Sequence, residues 1–156
     1  MDAWTIGNQA PEFHLPAASG EMVRLSQFRG SKVVLFFYPK DHTPTCTQEV
    51  CDFRDAHAAF VATDTVLIGI SPDPVQSHVK FAGKMNLPFL LLSDTELKAA
   101  MAYGVWQEKQ MYGRKYMGIV RSTFLIDRTG RLVREWRKVK VKGHIAEVLA
   151  AAQSID

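Results

Sequence analysis

Cysteine is scarce in this chain, with two in 156 residues, Cys46 and Cys51. Two are too few for the disulfide framework of a small secreted protein, and fewer than the four Cys or His ligands of a structural zinc site. If they matter, they matter chemically. Long apolar runs are also lacking: stretches such as Val33 to Tyr38 and Phe89 to Leu92 fall far short of the ~20 residues that a membrane-spanning helix requires. The start, Met1-Asp2-Ala3-Trp4, carries neither the basic residues nor the apolar core of an export signal, so a soluble cytoplasmic protein is expected. Charge of one sign is not in excess either. Nineteen Lys and Arg against sixteen Asp and Glu leave a net +3, without the concentrated basic stripe that neutralises a nucleic-acid backbone. No repeat, low-complexity tract or Pro/Gly-rich linker divides the sequence.

What is present is an ordinary globular balance, 47% hydrophobic and 22% charged, in a length that suits a single domain over residues 1–156. Phe13 to Leu15 and Met22 to Leu25, separated by Ala18-Ser19-Gly20-Glu21, read as a short hairpin. Val33 to Tyr38, an unbroken run rich in β-branched and aromatic residues and ended by Pro39, has the pattern of a central strand buried on both faces. From Pro44 the apolar residues Val50, Phe53, Ala56 and Phe60 follow helical intervals, and Thr65 to Ser71 restores a strand. A helix from Val75 to Leu87 stopped at Pro88, a strand Phe89 to Leu92 and a helix near Glu96 to Tyr103 continue the alternation. Ser122 to Ile126, the turn Asp127-Arg128-Thr129-Gly130 and Leu132 to Trp136 form a hairpin, and Ile145 to Ile155 a closing helix. The expected fold class is α/β, a central mixed sheet flanked by helices, with the hairpin as an N-terminal extension.

The most informative stretch runs from Tyr38 to Asp55. Thr43 followed by Pro44 reads as a helix start, because threonine caps free amides and proline at the first helical position loses no hydrogen bond. Cys46 then stands third in the helix, where a capping box places Glu or Gln. The positive end of the helix dipole and the unpaired amides there favour an anion, so Cys46 is expected to be largely thiolate near neutral pH. A cysteine acting only as a small buried hydrophobe is the competing reading. Cys51 lies five residues on. In an ideal helix the two Cα atoms are about 8 to 9 Å apart, beyond the ~7 Å limit of a disulfide. Either Cys51 is inert, or oxidation unwinds the first turns so that the sulfurs meet.

Tyr38-Pro39-Lys40-Asp41, Thr43-Pro44, Cys46-Thr47 and Cys51-Asp52-Phe53-Arg54 together resemble the active-site signature of peroxiredoxins. The cysteine spacing is similar to that of the bacterioferritin comigratory protein, or peroxiredoxin Q, subfamily. The likeness continues through Ser71-Pro72-Asp73, Ser77 to Phe81, Leu87-Pro88-Phe89, Leu92-Ser93-Asp94, Tyr103 to Trp106, Tyr112 to Ile119, Arg121 to Asp127 and Trp136 to His144. The resemblance implies a thioredoxin-like fold of peroxiredoxin type. It also implies reduction of hydrogen peroxide and organic hydroperoxides with electrons from thioredoxin or a similar dithiol reductant. Carried over by position, Cys46 attacks the peroxide and Cys51 resolves the sulfenic acid as an intramolecular disulfide. Thr43 aims a hydroxyl at sulfur and peroxide, Pro39 shields the sulfur from water, and Arg121 presents a guanidinium. No metal or organic cofactor is implied, and relatives with this spacing resemble monomers. The chain departs from many relatives in having the β-branched Thr45 in place of glycine before the reactive cysteine, a stiffer residue in a segment that must unwind.

Other candidates carry less. Glu49, three residues past Cys46, adds a negative charge beside the thiolate and is expected to pair with an arginine. His42 could join both cysteines at a metal, the alternative class being a thioredoxin-fold metal binder or a non-catalytic redox module. His14, His57, His78 and His144 show no ligand spacing and are expected at the surface or satisfied in place. The run Arg134 to Lys142 reads as an edge strand whose lysines discourage pairing. Phe37, Phe53, Phe89 and Trp106 are core by default, with an apolar rim for alkyl hydroperoxides as their functional option.

Overall fold

A computed structural model describes residues 6–156; the first five, which include the start Met1 to Trp4 read above for an export signal, lie outside the described residues. The chain opens with a hairpin, β1 (His14–Pro16) and β2 (Met22–Arg24), followed by a 3-10 turn at Leu25–Phe28. Then come β3 (Lys32–Phe37), α1 (Pro44–Ala62), β4 (Thr65–Ser71), α2 (Val75–Met85), β5 (Leu90–Ser93) and α3 (Lys98–Ala102). A second hairpin, β6 (Trp106–Met111) and β7 (Arg114–Ile119), precedes β8 (Ser122–Ile126), β9 (Leu132–Arg137) and α4 (His144–Gln153).

Five strands form one sheet in the order β5-β4-β3-β8-β9. β3 is parallel to β4, and β4 to β5, while β8 and β9 pair antiparallel, so the sheet is mixed. β3 is central because all six of its residues are buried and its side chains serve two cores in alternation. Val33, Leu35 and Phe37 face the N-terminal hairpin and α3; Val34 and Phe36, with Tyr38 just beyond, face α1, α2 and α4. On that second face Gly69 of β4 allows the Phe36 ring to lie against the backbone. A Cβ there would stand 2.7 Å from Phe36 Cζ and 2.8 Å from Leu91 Cδ2.

Most elements expected from the sequence occur where periodicity places them, with differences at their ends. α2 stops at Met85 instead of running to Leu87, because Asn86 takes the left-handed conformation (φ 53°) and caps it. α3 is a five-residue helix whose first amides, those of Ala99 and Ala100, donate to the Asp94 carboxylate. β9 is an edge strand, as expected, but it ends at Arg137. Lys138 turns the chain with φ 54°, so Val139 to Lys142 is not strand. The β6–β7 hairpin corresponds to no element expected from the pattern. No helix among the described residues is long and apolar enough to cross a membrane.

Candidate functional site

β3 ends in the segment Tyr38 to Thr43, which leads directly into α1. Thr43 occupies the N-cap position in an extended conformation (φ −84°, ψ 151°) and Pro44 is the first helical residue. One detail departs from expectation. The Thr43 side chain makes no capping bond; its Oγ1 donates to Lys40 O at 2.9 Å and closes the preceding turn. The first intrahelical bond runs from Thr47 N to Thr43 O, so the amides of Thr45 and Cys46 precede it and point along the start of the helix.

Cys46 is 1% exposed and packs into the core beneath α1, with Val50 and Phe53 on the same face. Its sulfur is nonetheless met by charge. Arg121, in the short link between β7 and β8, donates from Nη2 to Cys46 Sγ at 3.2 Å and from Nη1 to Glu49 Oε1 at 2.5 Å. The pairing of Glu49 with an arginine is thus observed, and the arginine is the one that also holds the sulfur. Glu49 is 0% exposed and its second oxygen, Oε2, has no partner. Burial pushes its carboxyl up to about 7 against the pull of Arg121, so Glu49 exchanges a proton near neutrality. Arg121, by contrast, is held charged. Burial opposes that charge, but Glu49 and Cys46 outweigh it.

Arg121 faces an open cleft lined by Pro39, Gln107, Lys109, Val120 and Val139. Pro39 thus lines the same cleft as Arg121, whose guanidinium reaches Cys46 Sγ. None of Phe37, Phe53, Phe89 and Trp106 lines this cleft, whose apolar lining comes from proline and valine. The cleft adds a residue that sequence reasoning missed. Lys109 of β6 enters it half-buried, donates from Nζ to Ile119 O at 2.9 Å, and has its amine pushed down by burial and by the charge of Arg121. Its signal was hidden because the hairpin that carries it was not legible.

Cys51 sits about one and a half turns beyond Cys46 on α1, partly buried, with Sγ 3.7 Å from Met85 Sδ at the end of α2. Both cysteines are free thiols. Arg54 donates to the Met85 carbonyl at 2.8 Å, so the Cys51 side of α1 is tied to α2 by two contacts at one residue. His42 does not turn toward the cysteines; its ring lies against Phe81 with centroids 5.0 Å apart. Among the described residues the one grouping with metal-like spacing is Asp41, Asp73 and His78, away from both cysteines. Of the remaining histidines, His14 is exposed and His57 half-buried. His144 is buried against Trp136 and Thr123, and its ring is pushed down to about 4 chiefly by burial.

The geometry matches a known family. The sequence model of the AhpC/TSA family covers residues 6–135. The chain belongs to the AhpC/TSA family. It is 58% identical over 151 residues to peroxiredoxin Bcp of Bacillus subtilis strain 168, which covers 97% of this chain and 96% of that protein. The bacterioferritin comigratory protein of Xanthomonas campestris, whose structures concern its alkyl peroxide reduction activity, superposes with a TM-score of 0.87 at 40% identity, over 91% of this chain and 90% of that one. The Xylella fastidiosa PrxQ superposes at 0.91 with 36% identity, over 96% of each chain. The fold is therefore the thioredoxin-like fold of peroxiredoxins, and the chain is a peroxiredoxin of the Bcp and peroxiredoxin Q group, a thiol peroxidase. The metal-binding or non-catalytic alternative is not favoured.

Proposed function

We propose that Cys46 is the peroxide-attacking residue, with Arg121, Thr43 and Pro39 as its partners and Cys51 as the resolving thiol. The observation that carries this is the guanidinium of Arg121 placed on the sulfur at the start of a helix. The thiolate attacks one oxygen of a hydroperoxide, the O–O bond breaks, and the leaving oxygen departs as hydroxide or alkoxide and takes up a proton. Arg121 offers donors both to the anionic sulfur and to the charge growing on that oxygen, where a preset donor is worth most. Thr43, already donating to Lys40 O, has its lone pairs available and accepts the peroxide O–H. Pro39 narrows the mouth of the cleft against water.

The product, Cys46 sulfenic acid, condenses with the Cys51 thiol, forming the S–S bond and releasing water. Both residues belong to the continuous helix α1, so its first turns open for this step. A dithiol reductant of the thioredoxin type then exchanges with the disulfide and restores two thiols. Alkyl hydroperoxides are included among the substrates because the cleft lining has apolar side chains, Pro39, Val120 and Val139, beside Arg121. The resolving residue is on the same chain as the attacking one, which supports a functional monomer, and two free thiols suit the reducing cytoplasm.

The test couples peroxide addition to thioredoxin oxidation, with Cys46→Ser as control. Peroxide-dependent turnover that is absent in the variant is expected; turnover retained in the variant refutes the assignment. After one equivalent of hydrogen peroxide, peptide mapping by mass is expected to show a Cys46–Cys51 link. Intermolecular dimers or a persistent sulfinic acid would remove Cys51 from the cycle.

A further inference from the structure

Behind the loop that carries Pro39 and Thr43 lies a buried polar cluster that the chemistry above leaves unused. Asp41 is 3% exposed, and its carboxylate accepts from Tyr38 Oη at 2.6 Å, Ser77 Oγ at 2.8 Å and His78 Nδ1 at 2.7 Å. His78, in the first turns of α2, is 0% exposed; its other nitrogen, Nε2, is 2.9 Å from the Leu92 carbonyl oxygen. Both ring nitrogens thus face oxygen atoms. Burial alone would push the Asp41 carboxyl up, but the bonds from His78, Tyr38 and Ser77 and the charge on His78 hold it below the ordinary carboxylate range. The backbone is fixed as well: Asp41 N donates at 2.8 Å to Asp73 Oδ2, which also accepts from Ser71 Oγ at 2.7 Å. With its oxygens and nitrogens engaged in this way, the cluster reads as a clamp and not as a metal site.

What the clamp holds is under conformational load. The residue after Asp41, His42, has φ 65°, a left-handed conformation that a non-glycine side chain adopts only when its surroundings impose it. Thr43 and the helix start follow immediately. The anchors of the clamp lie just past the end of β3, in the β4–α2 link, on α2 and on β5, and none is on α1. The loop therefore keeps its attachments while the first turns of α1 open and close.

We infer that His78, acting through Asp41, is a positioning residue that keeps the Pro39–Thr43 loop in register, so that the peroxide site reassembles around Cys46 after each opening of α1. This rests on the peroxidase cycle proposed above. It predicts a defect in peroxide attack and not in disulfide formation, because only the former needs the loop and helix start in place together.

The two hydrogen bonds of His78 separate the idea from simple structural support. His78→Asn retains a donor at the Nδ1 position, facing Asp41, and loses the one facing Leu92; His78→Gln does the reverse. Attack is measured as single-turnover peroxide consumption in a Cys51→Ser background, disulfide formation in proteins with both cysteines, and thermal midpoints in parallel. His78→Gln is expected to slow attack by about tenfold or more, in keeping with the cost of small misplacements of reacting groups. His78→Asn should slow attack much less at a comparable thermal midpoint, and disulfide formation should be unaffected in both. If both variants attack equally fast or equally slowly, or if rates follow thermal midpoints, the inference is overturned. Should either variant fail to fold, Ser77→Ala removes one donor to Asp41 and should slow attack in the same direction; an unchanged rate overturns the inference by that route. Wild-type protein that consumes no peroxide overturns the peroxidase reading itself, and this inference with it.

Discussion

Glu49 gives the sharpest quantitative test, since one guanidinium serves two acids on the same helix. Arg121 touches Glu49 Oε1 at 2.5 Å and Cys46 Sγ at 3.2 Å, and Glu49 titrates at about 7. Side chains three residues apart on a helix are about 5 to 6 Å from one another. At an effective dielectric of ~20, two negative charges at that separation repel by about 3 kcal/mol, equivalent to about two pH units. Arg121 lies between them and reduces this, so about one unit is expected to be visible. The charge that Glu49 gains near neutrality lies beside the sulfur, so the rate of peroxide attack in the wild type should change in two stages with pH. Glu49→Gln keeps the shape and the acceptor oxygen for Arg121 while deleting the charge. Its profile should collapse to one stage and reach its plateau about one pH unit earlier. Glu49→Ala removes the anchor as well and should be slower at every pH. The assay is single-turnover peroxide consumption as a function of pH. Superimposable profiles for wild type and Glu49→Gln would show that the carboxylate and the sulfur are not coupled, and Glu49 would revert to a buried structural residue.

Three further outcomes follow from other contacts. Arg121→Met keeps the bulk of the side chain and removes the donors; peroxide attack should fall by about 10²- to 10³-fold, read by the same assay, with a smaller change in thermal midpoint. Met85→Leu conserves volume, costing less than ~1.5 kcal/mol by thermal melting. It also removes the sulfur contact that ties Cys51 of α1 to α2, so disulfide formation after a peroxide pulse should accelerate. His144 is held at about 4, below its ordinary value of about 6.5, so the unfolded chain takes up a proton that the folded chain refuses. Its contribution to stability is complete above pH ~6.5 and declines as pH falls toward 4. His144→Asn should flatten that part of the stability curve in denaturant titrations.

The sequence displays the fold wherever burial is regular. β3 is legible because Val33 to Phe37 is an unbroken apolar run, and α1 because Val50, Phe53 and Phe60 repeat at helical spacing, and all of these are buried. The β6–β7 hairpin is not legible, since Gln107, Glu108 and Gln110 are exposed on a ribbon that covers little core. Its two-residue turn is Tyr112-Gly113, both at positive φ (52° and 78°), where Asn-Gly is the readable signal. Lys109 was hidden for the same reason. The site itself was partly legible: a cysteine after Thr-Pro declares a helix start, and the partnership of Arg121 with Cys46 rests on a separation of 75 positions that only the fold closes. The direction of the Thr43 hydroxyl was not legible, because the Lys40 carbonyl takes its proton and turns the side chain toward the preceding turn. His78 is satisfied in place, as expected, but the groups that satisfy it were not legible. A buried histidine on an apolar helix face looks the same in sequence whether it fills space or braces a loop.

The β6–β7 ribbon offers an experimental handle. Its base is rooted by buried Val105 and Ile119, while its tip projects outward with Tyr112 97% exposed. A fluorophore attached through Tyr112→Cys would ride on strands that also carry Lys109 and run into Arg121, on a protein whose two native thiols are buried or half-buried. Such a dye would report changes at the cleft in real time without occupying it.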